Sequence, residues 1–221
     1  MRIGLFGGTF NPVHFGHLRA ALEVKEGFEL DEVFLIPASL PPHKMSAGVA
    51  DAADRLQMLK LALEGAAGLN LSDVELMRSG PSYTIDTVQH FKRTLPAESR
   101  IFLIMGLDAF LELDTWKSYD ELLMQLPFIV INRPKAGGDS DGSGWKIMSD
   151  YLVSRISADY AFSESQCCYR AKNKQPIYAF DVTLLDISST RIRSLISRGR
   201  SIEYLVPQKV ADFINSKGLY L

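Results

Sequence analysis

Residues 2–17 read RIGLFGGTFNPVHFGH, and this stretch decides what kind of fold to expect. Its first part, Ile3–Phe6, is a short apolar run typical of a buried strand, and Gly7-Gly8 predicts a tight turn directly after it. Apolar residues then recur at helical spacing, which predicts a helix from about Phe15 to Gly27. A strand, a glycine turn and a helix in this order indicate the first unit of an α/β fold.

The same alternation continues along most of the chain. The clearest strands are Ile101–Met105 and Phe128–Ile131, which are apolar throughout, as strands of a parallel sheet covered on both faces are. Further strands are predicted at Glu32–Ile36, Leu69–Leu76 and Ile177–Leu185, and helices at Ala52–Gly65, Thr84–Lys92, Ala109–Leu126 with a break near Thr115, Trp145–Ala171, Thr190–Gly199 and Gln208–Ser216. We expect one α/β domain over residues 1–221: a doubly wound, Rossmann-like parallel sheet with helices on both faces, a C-terminal helical segment, and an unassigned loop or insertion at about 135–176.

Composition excludes several classes of protein and partner. Of the 221 residues, 47% are hydrophobic and 23% are charged, which excludes disordered, collagen-like and coiled-coil proteins. The formal net charge is −2, so no overall positive field attracts nucleic acid or an anionic membrane. No apolar run reaches the roughly 18–20 residues of a membrane span, and a strand from Arg2 leaves no room for a signal peptide, so we expect a cytoplasmic protein.

Two further segments are interpreted as structural. Cys167 and Cys168 are adjacent, where a mutual disulfide is strained and no CxxC spacing offers a metal site, so both are taken as structural thiols. The segment Lys135–Gly144 is rich in Gly, Asp and Ser and has no periodicity, which predicts a surface loop.

His14 and His17 are the first candidates for chemistry. They are three residues apart at the predicted helix start, so both imidazoles would lie on one side near its N-terminus. Free N–H groups and the helix dipole favour an anion there, and Gly7 and Gly8 would let a phosphate approach the backbone. The stretch matches neither GxGxxG nor GxxxxGK[ST]. Two other interpretations stay open: metal ligands, for which no nearby Asp, Glu, Cys or third His completes a set, and histidines with a purely structural role.

Two stretches together resemble signatures of the nucleotidylyltransferase superfamily. Gly8–His17 contains the HxGH pattern that holds ATP phosphates in that superfamily, and Ile187–Arg193, which reads ISSTRIR, resembles its second signature, ISSTxIR. Within the superfamily the chain resembles the nicotinate-nucleotide adenylyltransferases. This closer resemblance is carried by Pro41–Lys44 (PPHK), Ser82–Thr87 (SYTIDT), Gly106–Asp108 (GLD), Trp116 and Glu121–Leu123 (ELL). It covers roughly residues 1–134 and 177–221, and Lys135–Pro176 departs from the family pattern.

The resemblance implies a set of site residues, each of which follows a predicted strand. Ligands of doubly wound sheets bind beyond the carboxyl ends of the strands, so these residues are expected at one edge. The catalytic role is the stabilisation of phosphate charge, and it is expected of His14, His17, Lys44 and Arg191. ATP is expected to contact Gly7, Gly8, Thr9, Phe10, Gly106, Asp108, Ile187, Ser188, Ser189 and Thr190. The mononucleotide is expected to contact Lys44, Ser82, Tyr83, Thr84, Trp116 and Arg133.

These residues also have structural interpretations. Lys44 and Arg133 are equally typical of solvated surface cations, Ser82–Thr84 of a capping segment, and Trp116 of core packing. Asp108 is also a candidate N-cap. In either interpretation Ser189 or Thr190 is expected to cap the helix that follows, and Arg193 is expected to face away from the site.

The implied reaction joins ATP and nicotinate mononucleotide into deamido-NAD and releases pyrophosphate. The mononucleotide phosphate is already anionic at neutral pH, so it needs no general base. The expected cofactor is Mg²⁺ bound through the ATP phosphates, with no metal held by the protein alone. The alternatives are an enzyme that takes nicotinamide mononucleotide, one that uses phosphopantetheine or a cytidylyl donor, and a catalytically silent nucleotide sensor. The expected partners are the two small-molecule substrates, with no nucleic acid and no membrane, and a homo-oligomer is left open.

Overall fold

The apolar run Ile3–Phe6 lies inside β1 (Arg2–Gly8), an inner strand of a sheet that has eight strands in the described part of the chain. The fold is given by a computed structural model that describes residues 1–39, 48–132 and 143–221. β1 pairs in parallel with β2 (Glu32–Pro37) on one side and with β4 (Arg100–Gly106) on the other. Gly4 makes close packing possible at this point, because a Cβ on residue 4 would lie 2.7 Å from Ile104 Cδ1.

The remaining strands extend the sheet in both directions. β3 (Leu69–Leu71) pairs with β2, β5 (Phe128–Asn132) pairs with β4, and β8 (Ile177–Asp181) pairs with β5, all in parallel. β7 (Cys168–Arg170) and β6 (Ala161–Ser163) complete one edge in antiparallel pairing. The strand order is β3-β2-β1-β4-β5-β8-β7-β6. From β1 the chain adds β2 and β3 on one side and then returns to add β4 on the other side of β1. Doubly wound sheets bind ligands at such a point, where the order of addition reverses.

Helices cover both faces of the sheet, which confirms the predicted doubly wound α/β architecture. One core is covered by α1 (Phe15–Gly27), α2 (Ala52–Ala62), α7 (Ser189–Ile196) and α8 (Gln208–Lys217). The other is covered by α3 (Thr84–Thr94), α4 (Leu107–Phe110), α5 (Tyr119–Gln125) and α6 (Ser143–Tyr151). Neighbouring residues such as Phe102 and Leu103 enter opposite cores, which explains why the inner strands are apolar at every position.

The prediction of a helix over Trp145–Ala171 is correct only for its first part. α6 ends at Tyr151 and a π-helical turn follows at Leu152–Ile156. β6 and β7 then form an antiparallel hairpin in which Phe162 stands opposite Tyr169, with ring centroids 5.2 Å apart. Cross-strand aromatic pairs stabilise such hairpins. A prediction based on helical spacing of apolar residues does not detect these pairs. The parallel sheet therefore carries an antiparallel edge.

Three other predicted elements differ in extent. The predicted strand Leu69–Leu76 stops at Leu71, where its pairing with β2 ends. The predicted strand Ile177–Leu185 stops at Asp181, where β5 ends. The predicted helix Ala52–Gly65 ends at Ala62, and it buries Arg55, Met58 and Leu59. The break expected near Thr115 is confirmed by a 3₁₀ turn at Leu113–Thr115 between α4 and α5.

The described part of the chain contains no helix that is long and apolar enough to cross a membrane. Cys167 is exposed and Cys168 is buried, and both are free thiols. Burial raises the pKa of Cys168, which makes its thiol less reactive at neutral pH.

Candidate active site

A buried aromatic ring shapes the loop after β1. Phe10 has a φ of 47°, in the left-handed region, and its side chain is 2% exposed. The ring packs edge-on against Phe6 and His17, with centroid separations of 5.9 and 5.0 Å. Gly8 makes room for it, since a Cβ on residue 8 would lie 3.0 Å from the ring, whereas no described atom lies within 4 Å of a Cβ on Gly7. Phe10 can therefore offer a ligand only its main chain, and Gly7 offers open backbone.

His14 and His17 lie together at the start of α1. His14 is the N-cap residue and is 1% exposed, and His17 follows within the first turn. Their rings stack with centroids 3.7 Å apart and planes 30° from parallel. Gly16 permits this arrangement, because a Cβ on residue 16 would lie 3.0 Å from His14 Nδ1. The first turn of α1 contains no acidic residue, so nothing within the helix offsets the positive end of its dipole.

The N-terminus of α7 lies beside that of α1. Ser189 Oγ donates a hydrogen bond to the Pro12 carbonyl at 2.9 Å. The helix cap is Ser188, whose Oγ accepts from the Arg191 N–H at 3.2 Å. The prediction that Ser189 or Thr190 is the cap is wrong, because Ser188 holds the extended backbone that a cap requires. The first turn of α7 also has no acidic residue, so two helix N-termini that favour anions lie side by side.

Arg191 and Arg193 leave α7 in different directions. Arg191 is exposed, and its Nη1 donates to the backbone oxygen of Asp186 at 3.2 Å and to its Oδ2 at 3.3 Å. An exposed ion pair of this kind is weak, so a phosphate can compete for Arg191. Arg193 is partly buried, and its Nη1 donates to the Asn11 carbonyl at 2.8 Å. The arginine expected to face elsewhere thus contacts the loop after β1.

The start of α3 carries the first group of predicted mononucleotide residues. Tyr83 is the N-cap and Thr84 is the first helical residue. Ser82 Oγ accepts a hydrogen bond from the Ser39 N–H at 2.8 Å. Because Ser39 follows β2, this bond joins the start of α3 to the carboxyl end of the parallel strands.

Trp116 lies close to the same place. Its neighbour Lys117 places Nζ 4.5 Å from the centre of the Tyr83 ring and 3.4 Å from both carboxylate oxygens of Asp86. Trp116 and Tyr83 are both partly buried against the same core. The contacts of Lys117 therefore place the segment that contains Trp116 next to the start of α3.

Gly106 and Asp108 lie at the carboxyl end of β4, next to β1. Gly106 is the N-cap of α4 and Asp108 lies in its first turn, so the alternative that Asp108 caps this helix is wrong. A side chain on residue 106 would collide with Asp108 Oδ1, so glycine lets the carboxylate lie back over the strand end. An exposed carboxylate at this position can accept hydrogen bonds from sugar hydroxyl groups.

Lys44, Arg133 and the neighbouring His43 lie outside the residues that the structure describes, as does most of the predicted surface loop at Lys135–Gly144. Their assignments stay predictions.

Sequence comparison decides the family. A profile of the cytidylyltransferase-like family matches residues 5–195, which include the whole of α1 and most of α7. A protein of Desulfatibacillum aliphaticivorans, named "Probable nicotinate-nucleotide adenylyltransferase", is 44% identical over 223 residues, with all of both chains covered. One of the same name from Pseudomonas aeruginosa PAO1 is 39% identical over 219 residues, covering 99% of this chain and 97% of the relative. The chain belongs to the nicotinate-nucleotide adenylyltransferase family, within the cytidylyltransferase-like proteins.

A solved structure supports the fold of this adenylyltransferase-family chain. The Plasmodium falciparum nicotinic acid mononucleotide adenylyltransferase complexed with NaAD superimposes with a TM-score of 0.72 and covers 99% of this chain and 97% of its own. The sequence identity is 17%, so this likeness concerns the fold.

Asn11, inside the first family signature, braces the loop after β1. It is buried, and its Nδ2 donates to the Gly48 carbonyl at 3.0 Å. Its Oδ1 accepts from the Ala50 N–H at 3.0 Å and from the Tyr220 hydroxyl at 2.7 Å. Burial raises the pKa of Tyr220, so this hydroxyl remains a donor at neutral pH. A role for Asn11 is not predicted from the sequence, because its partners lie far away along the chain.

Arg55, on α2, is a second buried polar residue for which the sequence predicts no role. A signal was present, because helical spacing places Arg55 with Met58 and Leu59 on the buried face of α2, where an arginine is rare.

Asp114 ties the turn before Trp116 to α6 and the π-helical turn. Its carboxylate accepts from the Tyr151 hydroxyl at 2.8 Å and from Arg155 Nη2 at 2.6 Å. Hydrogen bonds from Arg155, and then from Tyr151, lower the pKa of Asp114. Burial in turn raises the pKa of Tyr151 to about 12. The part of the chain that departs from the family pattern thus supports the Trp116 segment.

Within the described ranges, no group of three or more His, Cys, Asp or Glu residues is arranged to hold a metal ion. The polar groups at the site are imidazoles, hydroxyl groups, helix N–H groups and the carboxylate of Asp108. Mg²⁺ prefers oxygen ligands and keeps several waters, so this set fits a metal that is held mainly by substrate phosphates.

Proposed function

We propose that this chain transfers the adenylyl group of ATP to nicotinate mononucleotide, which yields deamido-NAD and pyrophosphate in NAD biosynthesis. The observation that carries the proposal is the convergence of the α1 and α7 N-termini around His14 and His17. The start of α3, with Tyr83, is joined to the carboxyl end of β2 at the same edge, and Lys117, the neighbour of Trp116, contacts Tyr83. The two helix N-termini with His14 and His17 suit a polyphosphate. The start of α3 with Tyr83 and Trp116 suits an aromatic ring with an anionic substituent. The names of the relatives support the same reaction.

The polyphosphate of ATP is assigned to the two helix N-termini. The backbone at Gly7, Gly8, Thr9 and Phe10 and the segment Ile187–Thr190 would donate hydrogen bonds to phosphate oxygens. His14 and His17 would hold the phosphates from the same side, with Lys44 and Arg191 as further cations. Gly106 and Asp108, at the end of β4, would contact the adenosine part, with the carboxylate on its ribose hydroxyl groups.

The mononucleotide is assigned to the start of α3. The N–H groups near Ser82, Tyr83 and Thr84 and the positive end of the α3 dipole would favour the nicotinate carboxylate over a neutral amide. Trp116 would stack on the pyridine ring, and Arg133 and Lys44 would hold the mononucleotide phosphate. Lys117 offsets the charge of Asp86, which would otherwise repel a carboxylate at this helix start.

The chemistry then needs positioning and charge stabilisation, without a covalent enzyme intermediate. An oxygen of the mononucleotide phosphate attacks the α-phosphorus of ATP, the bond from that phosphorus to the bridging oxygen breaks, and pyrophosphate leaves with the electron pair. The attacking oxygen is already anionic, so no base has to remove a proton. His14, His17, Lys44 and Arg191 act by stabilising the charge that builds on the α-phosphate and on pyrophosphate.

Mg²⁺ is part of the proposal as a cofactor that arrives with ATP. When bound, it would neutralise phosphate charge and hold the leaving group. The proposed enzyme is cytoplasmic. It acts on two small-molecule substrates and does not bind nucleic acid. The number of copies in the active enzyme is left open.

Release of pyrophosphate tests the function. Mg-ATP is supplied with nicotinate mononucleotide or with nicotinamide mononucleotide at equal concentration, and ATP alone serves as the control. We expect pyrophosphate to form faster with the nicotinate compound, because the start of α3 favours its carboxylate.

Other outcomes separate the alternatives. A preference for the nicotinamide compound would retain the adenylyl transfer but contradict the roles of Tyr83, Thr84 and Trp116. No pyrophosphate with either compound, from a folded protein that binds ATP, would favour the nucleotide sensor.

A further inference from the structure

Arg55 is an arginine buried beneath the candidate site. Its side chain lies on the inner face of α2 and the residue is 1% exposed. Its hydrogen bonds run to backbone carbonyl groups, and no carboxylate of the described residues forms a salt bridge with it. A buried charge is costly unless its donors are satisfied, so the carbonyl groups around Arg55 are held firmly in place.

The carbonyl groups belong to three separate segments. Arg55 Nη1 donates to Thr9 at 2.9 Å, Nη2 donates to Ser39 at 3.1 Å, and Nε donates to Ala50 at 3.1 Å. Thr9 lies in the loop after β1, Ser39 follows β2, and Ala50 precedes α2. The Arg55 side chain thus joins the loop after β1 to the segment after β2, in which Ser39 contacts Ser82.

The bond to Thr9 fixes the direction of a donor as well as the position of the loop. In a trans peptide the C=O and N–H groups point in opposite directions. The Phe10 N–H therefore points away from Arg55, and it cannot rotate while the Thr9 carbonyl is held. A planar guanidinium can reach several acceptors at fixed angles, whereas an ammonium group is a point charge without this geometry.

Arg55 also sets the local charge. Burial lowers its pKa, and Tyr220 and Asp51 act in the opposite direction, but an arginine remains protonated at neutral pH. Because no described carboxylate forms a salt bridge with Arg55, its positive charge favours an anionic ligand above the loop.

We propose that Arg55 is the positioning residue of the phosphate site, which fixes the Thr9–Phe10 peptide so that the ATP phosphates meet a preformed loop. This rests on the proposed function only in taking ATP as the nucleotide. Arg55 is not proposed to contact the reacting atoms. It acts through the loop after β1.

The test compares Arg55→Lys, which keeps the charge, with Arg55→Ala, which removes the side chain. Arg100→Met is the control, because Arg100 is exposed at the opposite end of the parallel strands and stacks on Phe102. The readouts are the thermal midpoint, Mg-ATP affinity by calorimetry without mononucleotide, and the kcat and KM for pyrophosphate release. Arg55→Ala is also titrated with guanidinium and, separately, with methylammonium.

We expect Arg55→Lys to fold and to bind Mg-ATP about 10- to 100-fold more weakly, the range for losing hydrogen bonds from a charged group. Guanidinium should restore ATP binding in Arg55→Ala and methylammonium should not, because only guanidinium reproduces the planar donors. Arg100→Met should bind ATP as the unaltered protein does. If Arg55→Ala does not fold, the Arg55→Lys affinity and amide hydrogen exchange at Phe10, expected to be faster, still decide the matter.

Two results would overturn the proposal. One is a folded Arg55→Lys protein that binds Mg-ATP within about threefold of the unaltered protein, a difference too small for a lost charged hydrogen bond. The other is equal rescue by guanidinium and methylammonium, which would leave only a charge effect. Failure of the proposed function is seen separately, as absence of pyrophosphate from the unaltered protein, since ATP affinity is measured without the second substrate.

Discussion

His17 is held between two aromatic neighbours, the edge of Phe10 and the face of His14, and this packing fixes its ring at the start of α1. In the proposed reaction it faces charge that grows as pyrophosphate leaves. We therefore expect His17→Ala to lower kcat by about 10²–10³-fold, the usual effect of removing one charge-stabilising donor, with a much smaller change in KM for ATP. Steady-state pyrophosphate release measures both constants.

His90→Ala is the matched control for His17→Ala, since His90 lies on α3 outside the candidate site. It should leave both constants unchanged. A loss of less than about threefold in kcat for His17→Ala would contradict the charge-stabilising role, because it is far below the effect of a lost donor.

Among single residues, the sequence predicts those whose role follows from a short motif of neighbouring residues. His14 and His17 are predicted by their spacing after a glycine turn, and they do lie together. Arg55 and Tyr220 are not predicted, because each acts through carbonyl or amide groups that only the folded chain brings near. Asp108 lies at the predicted strand end, but its capping alternative fails because Gly106 is the N-cap of α4.

Among the elements, the turn before Trp116 depends on a carboxylate. Asp114 has a pKa below its usual range, owing to Arg155 first and then Tyr151. A group with a lowered folded pKa contributes stability that is fully present above its unfolded pKa, about 3.9, and that is lost as the pH falls through the folded pKa. We expect the free energy of unfolding to fall less for Asp114→Asn than for the unaltered protein between about pH 6 and about pH 3.

Urea unfolding at a series of pH values measures this difference. Asp212→Asn, which removes an exposed carboxylate on α8, should retain the pH dependence of the unaltered protein. Parallel pH curves for Asp114→Asn and the unaltered protein would show that the hydrogen bonds of Asp114 do not stabilise the fold.

Elements are predicted well where periodicity and end signals agree. α1 runs from Phe15 to Gly27 as expected, and the inner strands match because burial on both faces makes them apolar throughout. The β6–β7 hairpin escapes prediction because its strands are three residues each and are held by a cross-strand aromatic pair.

For the whole molecule, contacts between distant parts of the chain hold the site. Tyr220 reaches Asn11, whose Oδ1 also accepts from Ala50, so loss of the hydroxyl leaves this oxygen with one partner. We expect Tyr220→Phe to lower the free energy of unfolding by about 0.5–1.5 kcal/mol, the range for one net hydrogen bond. Urea denaturation measures the change.

Tyr204→Phe is the control for Tyr220→Phe, because Tyr204 is 88% exposed. Its effect should lie within about 0.5 kcal/mol of zero, as for most surface substitutions. Equal stabilities for the two variants would mean that the Tyr220 hydroxyl does not stabilise the loop.

The doubly wound architecture follows from alternating strands and helices, and the reversal of strand order between β1 and β4 fits that expectation. Long-range bonds such as Ser189 to Pro12 have no local pattern, so the closeness of α1 and α7 is expected from the family resemblance and from the position of both segments after strands of one sheet.

The bonds of Asn11 to Arg193 and Tyr220 have a consequence for biosynthesis. A ribosome makes Asn11 182 residues before Arg193 and 209 residues before Tyr220. β1 can pair with β2 as soon as both strands have been made, but the peptide groups after β1 acquire these two supports only after Arg193 and Tyr220 have been made. The signature thus matures well after its own synthesis, and a chain whose translation stops before residue 193 would carry the signature without these two supports.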